Sequence, residues 1–244
     1  MRAPAKTLAA TGSLAVASVV VAGYRLGFGS RSQLFGTFPY AGSTAEKVVA
    51  LTFDDGPNEP WTSMILDTLA DRGVPATFFQ VARCAQRHPD ITRRVIDEGH
   101  VLGNHGLTHE LSSYLRDADQ RAEVTLGRLA LAEIAGVSPS LYRPPWLCHW
   151  PWVLRGIAGT GSQVVSGTFV HPLEVFQPSV DRLVAGAVRA AAPGAMIIVH
   201  DGRESRGGFR GRSAAAVGPI IDQLRRHGYG FTTVDRLLGV DAYA

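Results

Sequence analysis

Residues 47–58 read KVVALTFDDGPN. The apolar run KVVALTF has the length and composition of a buried strand. It ends on two adjacent acids, Asp54 and Asp55, and is then broken by Gly56-Pro57. On an extended chain neighbouring side chains point to opposite faces, so the two carboxylates leave the strand in diverging directions. A turn can use such acids for capping. A metal site can use one as ligand and the other as base.

Beyond this strand, short β-type runs alternate with longer helical patterns. ATFFQV (76–81), HVLGN (100–104), LYR (141–143), SQVVSG (162–167), AMIIVH (195–200) and YGFTTV (229–234) read as further strands, about seven in all. The spacing predicts helices over 61–73, 91–99, 117–136, 152–161, 180–191 and 214–228, and DRLLG begins a terminal one. Such alternation predicts an α/β fold with a parallel sheet, here a closed or nearly closed β/α barrel. An open doubly wound sheet is the alternative, but the Gly-rich phosphate loop that usually goes with it is absent. In β/α barrels the chemistry gathers at the C-terminal ends of the strands.

The chain has 244 residues, 45% of them hydrophobic and 18% charged. That fills a substantial core and excludes a largely disordered chain. The net charge of +3 comes from scattered arginines. Without a basic-aromatic module, no nucleic-acid partner is expected; a weak attraction to an anionic surface such as a cell wall or membrane is. At the N-terminus, Arg2 and Lys6 precede an uncharged, Ala- and Val-rich run from Leu8 to Tyr24. A basic start followed by an apolar run reads as an export signal. At about 17 residues it lies at the lower edge for a spanning helix. Residues 1–24 are therefore read as a signal peptide or a membrane anchor, with a buried core helix as the alternative. This places the chain outside the cell, secreted or held on the outer face of the cytoplasmic membrane, with membrane contact only through that segment. Residues 25–46, rich in Gly, Ser, Thr and Pro, read as a linker, and 47–244 as one domain, expected to be a monomer. The two cysteines, Cys84 and Cys148, are each solitary, so their spacing does not support a zinc site. Export permits a disulfide between them; two separate half-buried thiols are the equal alternative.

Polar residues collect at the predicted strand ends: GNHGLTHEL (103–111) carries His105 and His109, YRPPW (142–146) follows another strand, and IIVHDG (197–202) carries His200 and Asp201. Two histidines four residues apart can converge on one cation when a tight loop brings them together. Alone, they read sooner as surface residues than as ligands. With a carboxylate from the first strand they form a catalytic metal set that leaves a position open. Asp55 then turns to the metal beside His105 and His109, and Asp54 to the attacking water as general base. Zinc suits this set best; cobalt and nickel also bind such donors.

TFDDGP, NHGLTH, YRPPW and IIVHDG, in this order, resemble four of the five motifs of the polysaccharide deacetylases, the carbohydrate esterase family 4 or NodB-like enzymes. HGYGFTTVDRLL near the end is also family-like, so the resemblance spans about Lys47 to Gly239. It implies a deformed β/α barrel with fewer than eight complete units. It also implies metal-dependent removal of acetyl groups, usually from N-acetylglucosamine in an acetylated glycan polymer such as peptidoglycan or chitin. Carried over residue by residue, Asp54 matches the base, and Asp55, His105 and His109 match the ligands. Arg143 matches the arginine that pairs with the base and holds it ionised. His200 matches the acid that protonates the leaving amine. Ile198 matches the apolar residue near the acetyl methyl, and Trp146 stands where an aromatic lines the sugar groove.

One motif departs from the family pattern. Where an Asp-x-Trp-like element is usual, this chain reads SGTFVHPLEVFQPS (166–179). Glu174 and Phe176 have that spacing and related chemistry, with Glu174 as the partner that tunes His200 and Phe176 as a pocket residue; His171 is a rival polar candidate. Two other readings stand beside N-deacetylation: an O-acetyl esterase acting on xylan-like glycans, and a catalytically silent glycan-binding module.

Overall fold

The computed structural model describes residues 29–203 and 206–244. The Leu8–Tyr24 run, and with it the signal-or-anchor reading, lies outside the described residues. Among the described residues no helix is long and apolar enough to cross a membrane.

The chain runs β1 (Val48–Asp54), α1 (Trp61–Arg72), β2 (Thr77–Gln80), α2 (Ala82–Arg87), α3 (Pro89–Asp97), β3 (Val101–Asn104), α4 (Asp117–Ala135), β4 (Leu141–Tyr142), α5 (Pro151–Ile157), β5 (Gln163–Val164), β6 (Phe169–Val170), α6 (Val180–Ala190), β7 (Met196–His200), α7 (Gly211–Arg226), β8 (Gly230–Thr232) and α8 (Val234–Leu238). The strands are parallel, in the order β5-β4-β3-β2-β1-β7-β6. β8 pairs with Val48–Ala50 of β1, below the reach of β2, which pairs with Thr52–Asp54. The ends of this order, β5 and β6, do not pair. The barrel is therefore open along one seam.

Two elements differ from the sequence expectation. The strand expected over 162–167 is only Gln163–Val164, and a further two-residue strand, β6, follows it. His200 thus ends the seventh strand rather than the sixth. A separate short helix, α2, precedes α3 because Pro89 restarts the helix at its own first position. The predicted helix at 61–73 stops where expected: Gly73 takes a left-handed φ of 56° and its N–H closes on Ala70 O.

Alternation along β1 sorts its side chains. Val49, Leu51 and Phe53 face outward into the main core with Ile65, Leu66 and Leu69 of α1 and Val217, Ile220 and Ile221 of α7. Ala50 belongs to a second cluster with Phe79, Leu141, Val165 and Met196. Thr52 and Asp54 share the Ala50 face by period, and both meet Arg143 there. Gly103 makes room for this interior layer, since a β-carbon on it would lie 2.5 Å from the Phe79 ring.

The open seam is lined by the described part of the expected linker, which is docked onto the barrel. Ser166 N–H donates to Pro39 O at 2.8 Å, Thr168 Oγ1 to Tyr40 O at 2.9 Å, and Arg31 Nε to Thr168 O at 3.1 Å. Phe38 is buried and stacks on His149 with ring centroids 4.1 Å apart. Ala41 forms an antiparallel bridge to Ala195.

Cys84 and Cys148 are thiols, not a disulfide, and both are buried. Burial pushes Cys84 up to about 12, with Arg87 opposing, and Cys148 up to about 11. Neither carries appreciable thiolate near neutrality, and neither presents its sulfur to solvent. A thiol titration of the native protein should find no fast-reacting group, with both thiols appearing in denaturant. Loss of both thiols in denaturant, with one S–S per chain by mass, would contradict this.

Candidate active site

The site lies at the C-terminal ends of the strands and begins with a buried ion pair. Arg143, one residue past β4, is fully buried. Its Nη1 donates to Asp54 Oδ1 at 2.7 Å and Thr52 Oγ1 at 2.8 Å, and its Nη2 donates to Ser166 O at 2.8 Å. Its guanidinium carbon sits 4.0 Å from the centroid of the Phe79 ring, a cation–π contact in a dry setting. Burial pulls the Arg143 pKa down against the pull of Asp54.

Asp55 solves the problem of adjacent acids by leaving the strand conformation. Its φ is 78°, in the left-handed region that Asp tolerates better than most residues. This turns its carboxylate to the same cleft as Asp54. Asp55 Oδ1 lies 3.3 Å from His105 Nε2 and 3.2 Å from His109 Nε2. Burial raises the Asp55 pKa, but His109 and His105 outweigh it and leave the carboxyl well below its ordinary range.

His105 Nδ1 lies 2.7 Å from Arg143 O. A carbonyl only accepts, so Nδ1 carries a proton there, and Nε2 is the nitrogen turned toward Asp55. Such a bond to the far nitrogen is the usual way of fixing a metal-ligating histidine. The ligand atoms of Asp55, His105 and His109 lie within 4.8 Å of one another, and all three residues are buried. Donors bonded at about 2.0–2.1 Å to a tetrahedral zinc sit roughly 3.3 Å apart, close to the Asp55–histidine separations. The residues therefore fit a divalent cation of the zinc type.

The loop that carries both histidines is held by Glu123 of α4. Its Oε2 accepts from the backbone N–H of Leu107 and of Thr108, each at 2.8 Å. Its Oε1 accepts from Thr108 Oγ1 at 2.5 Å and Ser113 Oγ at 3.1 Å. The carboxylate is itself buried. Nothing in the sequence marks it, because an acid in a helix reads as surface and its partners are loop amides.

Across the cleft, His200 ends β7. Glu174 Oε1 accepts the His200 backbone N–H at 2.8 Å, and Glu174 Oε2 lies 3.1 Å from His200 Nδ1. Ser213 Oγ donates to Glu174 Oε1 at 2.8 Å. Burial lowers the His200 pKa; Glu174, aided by Asp55 and Asp54, overcomes it and raises the imidazole to about 9. Burial raises Glu174, and His200 and Ser213 bring it below its ordinary value. His171 is not on His200: its Nδ1 accepts from Leu173 N–H at 3.2 Å and its ring meets Phe169.

A cleft of about 340 Å³ joins these groups. Ile198 and Trp146 line it, with Leu147, Val170 and Val175. The Trp146 ring lies edge-on between His109 and Tyr114, at 4.4 and 5.3 Å. Phe176 is a correction to the sequence expectation: it does not line the cleft and is 78% exposed. Glu174–Phe176 is a 3₁₀ turn, so residues two apart face different ways. Arg203 and Arg210, unforeseen from the sequence, also line the cleft. The Arg-rich run GRESRGGFRGR after the IIVHD motif was their only signal.

Residues 41–165 match the family model for polysaccharide deacetylase. A peptidoglycan-N-acetylglucosamine deacetylase of Bacillus cereus is 32% identical over 194 residues, covering 79% of this chain and 89% of that protein. A chitooligosaccharide deacetylase of Sinorhizobium fredii is 32% identical over 200 residues, covering 79% of this chain and 92% of that protein. Among solved structures, the Bc1960 peptidoglycan N-acetylglucosamine deacetylase superposes with a TM-score of 0.78 at 28% identity, covering 85% of this chain and 95% of that one.

The Glu123 brace gives a test that does not depend on turnover. Glu123→Gln keeps the shape but weakens four hydrogen bonds. Chelator competition should show zinc affinity lowered by roughly 10–100-fold, the usual cost of disturbing outer-shell partners. Unchanged zinc affinity in a folded variant would remove Glu123 from the site.

Proposed function

This chain belongs to the polysaccharide deacetylase family, and from that premise we propose that it is a metal-dependent hydrolase that removes N-acetyl groups from a glycan polymer containing N-acetylglucosamine. The observation that carries the reading is that the Asp54–Arg143 pair, the Asp55–His105–His109 set and the His200–Glu174 pair all meet at one cleft. A glycan-binding module would need none of the three. In this proposal residues 1–24 export or anchor the domain, an assignment supported by the basic start and apolar run of the sequence.

Asp55, His105 and His109 would hold the cation, with zinc favoured by the donor set and cobalt or nickel as alternatives. A divalent cation in such a site supplies Lewis-acid polarisation of a carbonyl and acidification of water. Asp54, oriented by Arg143, takes a proton from the water that attacks the amide carbon. His200 delivers a proton to the sugar nitrogen as the carbon–nitrogen bond breaks, so a free amine and acetate leave. Glu174 keeps His200 charged and aimed for that transfer. Ile198 and Trp146 bound the space for the acetyl methyl and the adjoining sugar.

Acetate release from peptidoglycan, chitooligosaccharides and acetylated xylan, with and without chelator, tests the assignment. Release from the N-acetylated glycans, abolished by chelation, is expected. Release only from xylan would move the reaction to O-acetyl esters. Asp54→Asn should leave zinc binding largely intact and lower turnover by roughly 10²–10⁴-fold; a near-normal rate would exclude it as the base.

The pH profile tests the acid. His200 donates only while protonated, so activity should fall as pH rises through its pKa. Glu174 is the principal group holding that pKa above its ordinary value. Glu174→Gln should therefore shift the alkaline limb of the rate profile to lower pH. An unmoved limb would assign the limb to another group.

A further inference from the structure

Three carboxylates line the cleft, and each is engaged: Asp54 by Arg143, Asp55 by the two histidines, and Glu174 by His200 and Ser213. Two cations on the same walls have no such match. Arg210 is only 3% exposed. Its Nε and Nη1 donate to main-chain carbonyls, Gly202 O and Glu174 O, and among the described residues no carboxylate lies within ion-pair distance of it. Arg203 is exposed at the rim and packs its stem on Gly208. Among the described residues its side chain makes no hydrogen bond or ion pair; only its carbonyl is engaged, by Arg206 N–H at 3.2 Å.

Guanidinium stays charged at any physiological pH, and burying a charge without a partner is costly. Arg210 bears that cost within the substrate cleft. A bound anion would offset it, and a carboxylate fits best because its two oxygens match the planar fork of donors. A cation held by Asp55, His105 and His109 would make the cleft more positive still. The apolar stretch formed by Trp146, Leu147, Val170 and Val175 suits a sugar face, whereas the arginine side does not suit a neutral one.

We propose that Arg203 and Arg210 form an anion subsite, and that the preferred acetamido sugar carries a carboxylate next to its N-acetyl group, as an N-acetylmuramoyl residue does through its lactyl ether. Chitin and xylan backbones offer no such group. This rests on the deacetylase reading above and sharpens it from acetylated glycans in general to acidic ones.

The test uses two soluble oligomers of peptide-free peptidoglycan glycan that differ only in the lactyl group, one with the free carboxylate and one with it converted to the primary amide. Both kcat/KM for acetate release and Kd by calorimetry are measured on the full chain. In the unmodified protein the carboxylate form should be favoured by about 10–100-fold, the range for losing one charge-assisted hydrogen bond. Arg203→Gln and Arg210→Lys should each reduce that ratio. Arg203 is exposed, so its variant should fold even if the Arg210 variant does not. A ratio near one in the unmodified protein overturns the subsite, as does a large ratio that survives Arg203→Gln and a folded Arg210→Lys. Absence of acetate from every glycan would overturn the deacetylase reading instead, and the Kd ratio would still decide the subsite.

Discussion

Arg143 is the residue on which the arrangement turns. Its guanidinium holds Asp54 and Thr52 of β1 and Ser166 beside the open seam, while its carbonyl holds His105. One side chain and its own backbone thus tie the proposed base, one histidine of the candidate metal set and the gap in the barrel into a single unit. The pair is buried, so its net stabilisation is small, but removing one partner strands a charge at a cost of about 3–5 kcal/mol. Its first contribution is geometric: the base cannot move without moving the histidine's support. Lysine could not substitute, since a single ammonium cannot serve carboxylate, hydroxyl and carbonyl in these directions while stacking on Phe79.

The two halves of the site are built on different principles. The Asp55 half depends on backbone conformation: Asp55, His109 and Trp146 all have positive φ, at 78°, 59° and 53°. Such conformations are costly for non-glycine residues and persist where surrounding contacts over-determine them. Glu123 supplies part of that determination for the histidine loop. The His200 half depends on charge instead. There the strand is regular, paired with Asp54 of β1 in register, and a buried glutamate sets the protonation of the histidine. In the proposed reaction, rigid placement serves the group that would hold a cation, and electrostatic tuning serves the group that would give up a proton.

Much of this was legible before folding because strand ends carry their own marks. KVVALTF and AMIIVH announce buried strands, and the acids and histidines stand directly after them or at their last position. Adjacency in space could then be inferred from parallel alternation alone. Four things were hidden for physical reasons. β6 has two residues, too few to show a period. Phe176 was placed by its spacing from Glu174, which fixes a common face only in an extended segment. Glu123 acts through loop amides, and an amide leaves no trace in residue identity. Arg210 was hidden for a related reason, since its donors reach main-chain oxygens.

The seam between β5 and β6 separates two notions of where this protein begins. The family-model match starts at residue 41. The carbonyls of Ser30, Pro39 and Tyr40, and the ring of Phe38, lie before that point, yet they complete the hydrogen bonding of Ser166 and Thr168 and cover His149. Ser166 is also the residue whose carbonyl receives Arg143. The stretch matched by the family model therefore begins later than the packed domain, and the difference is a strip of chain sealing the wall behind the Asp54–Arg143 pair.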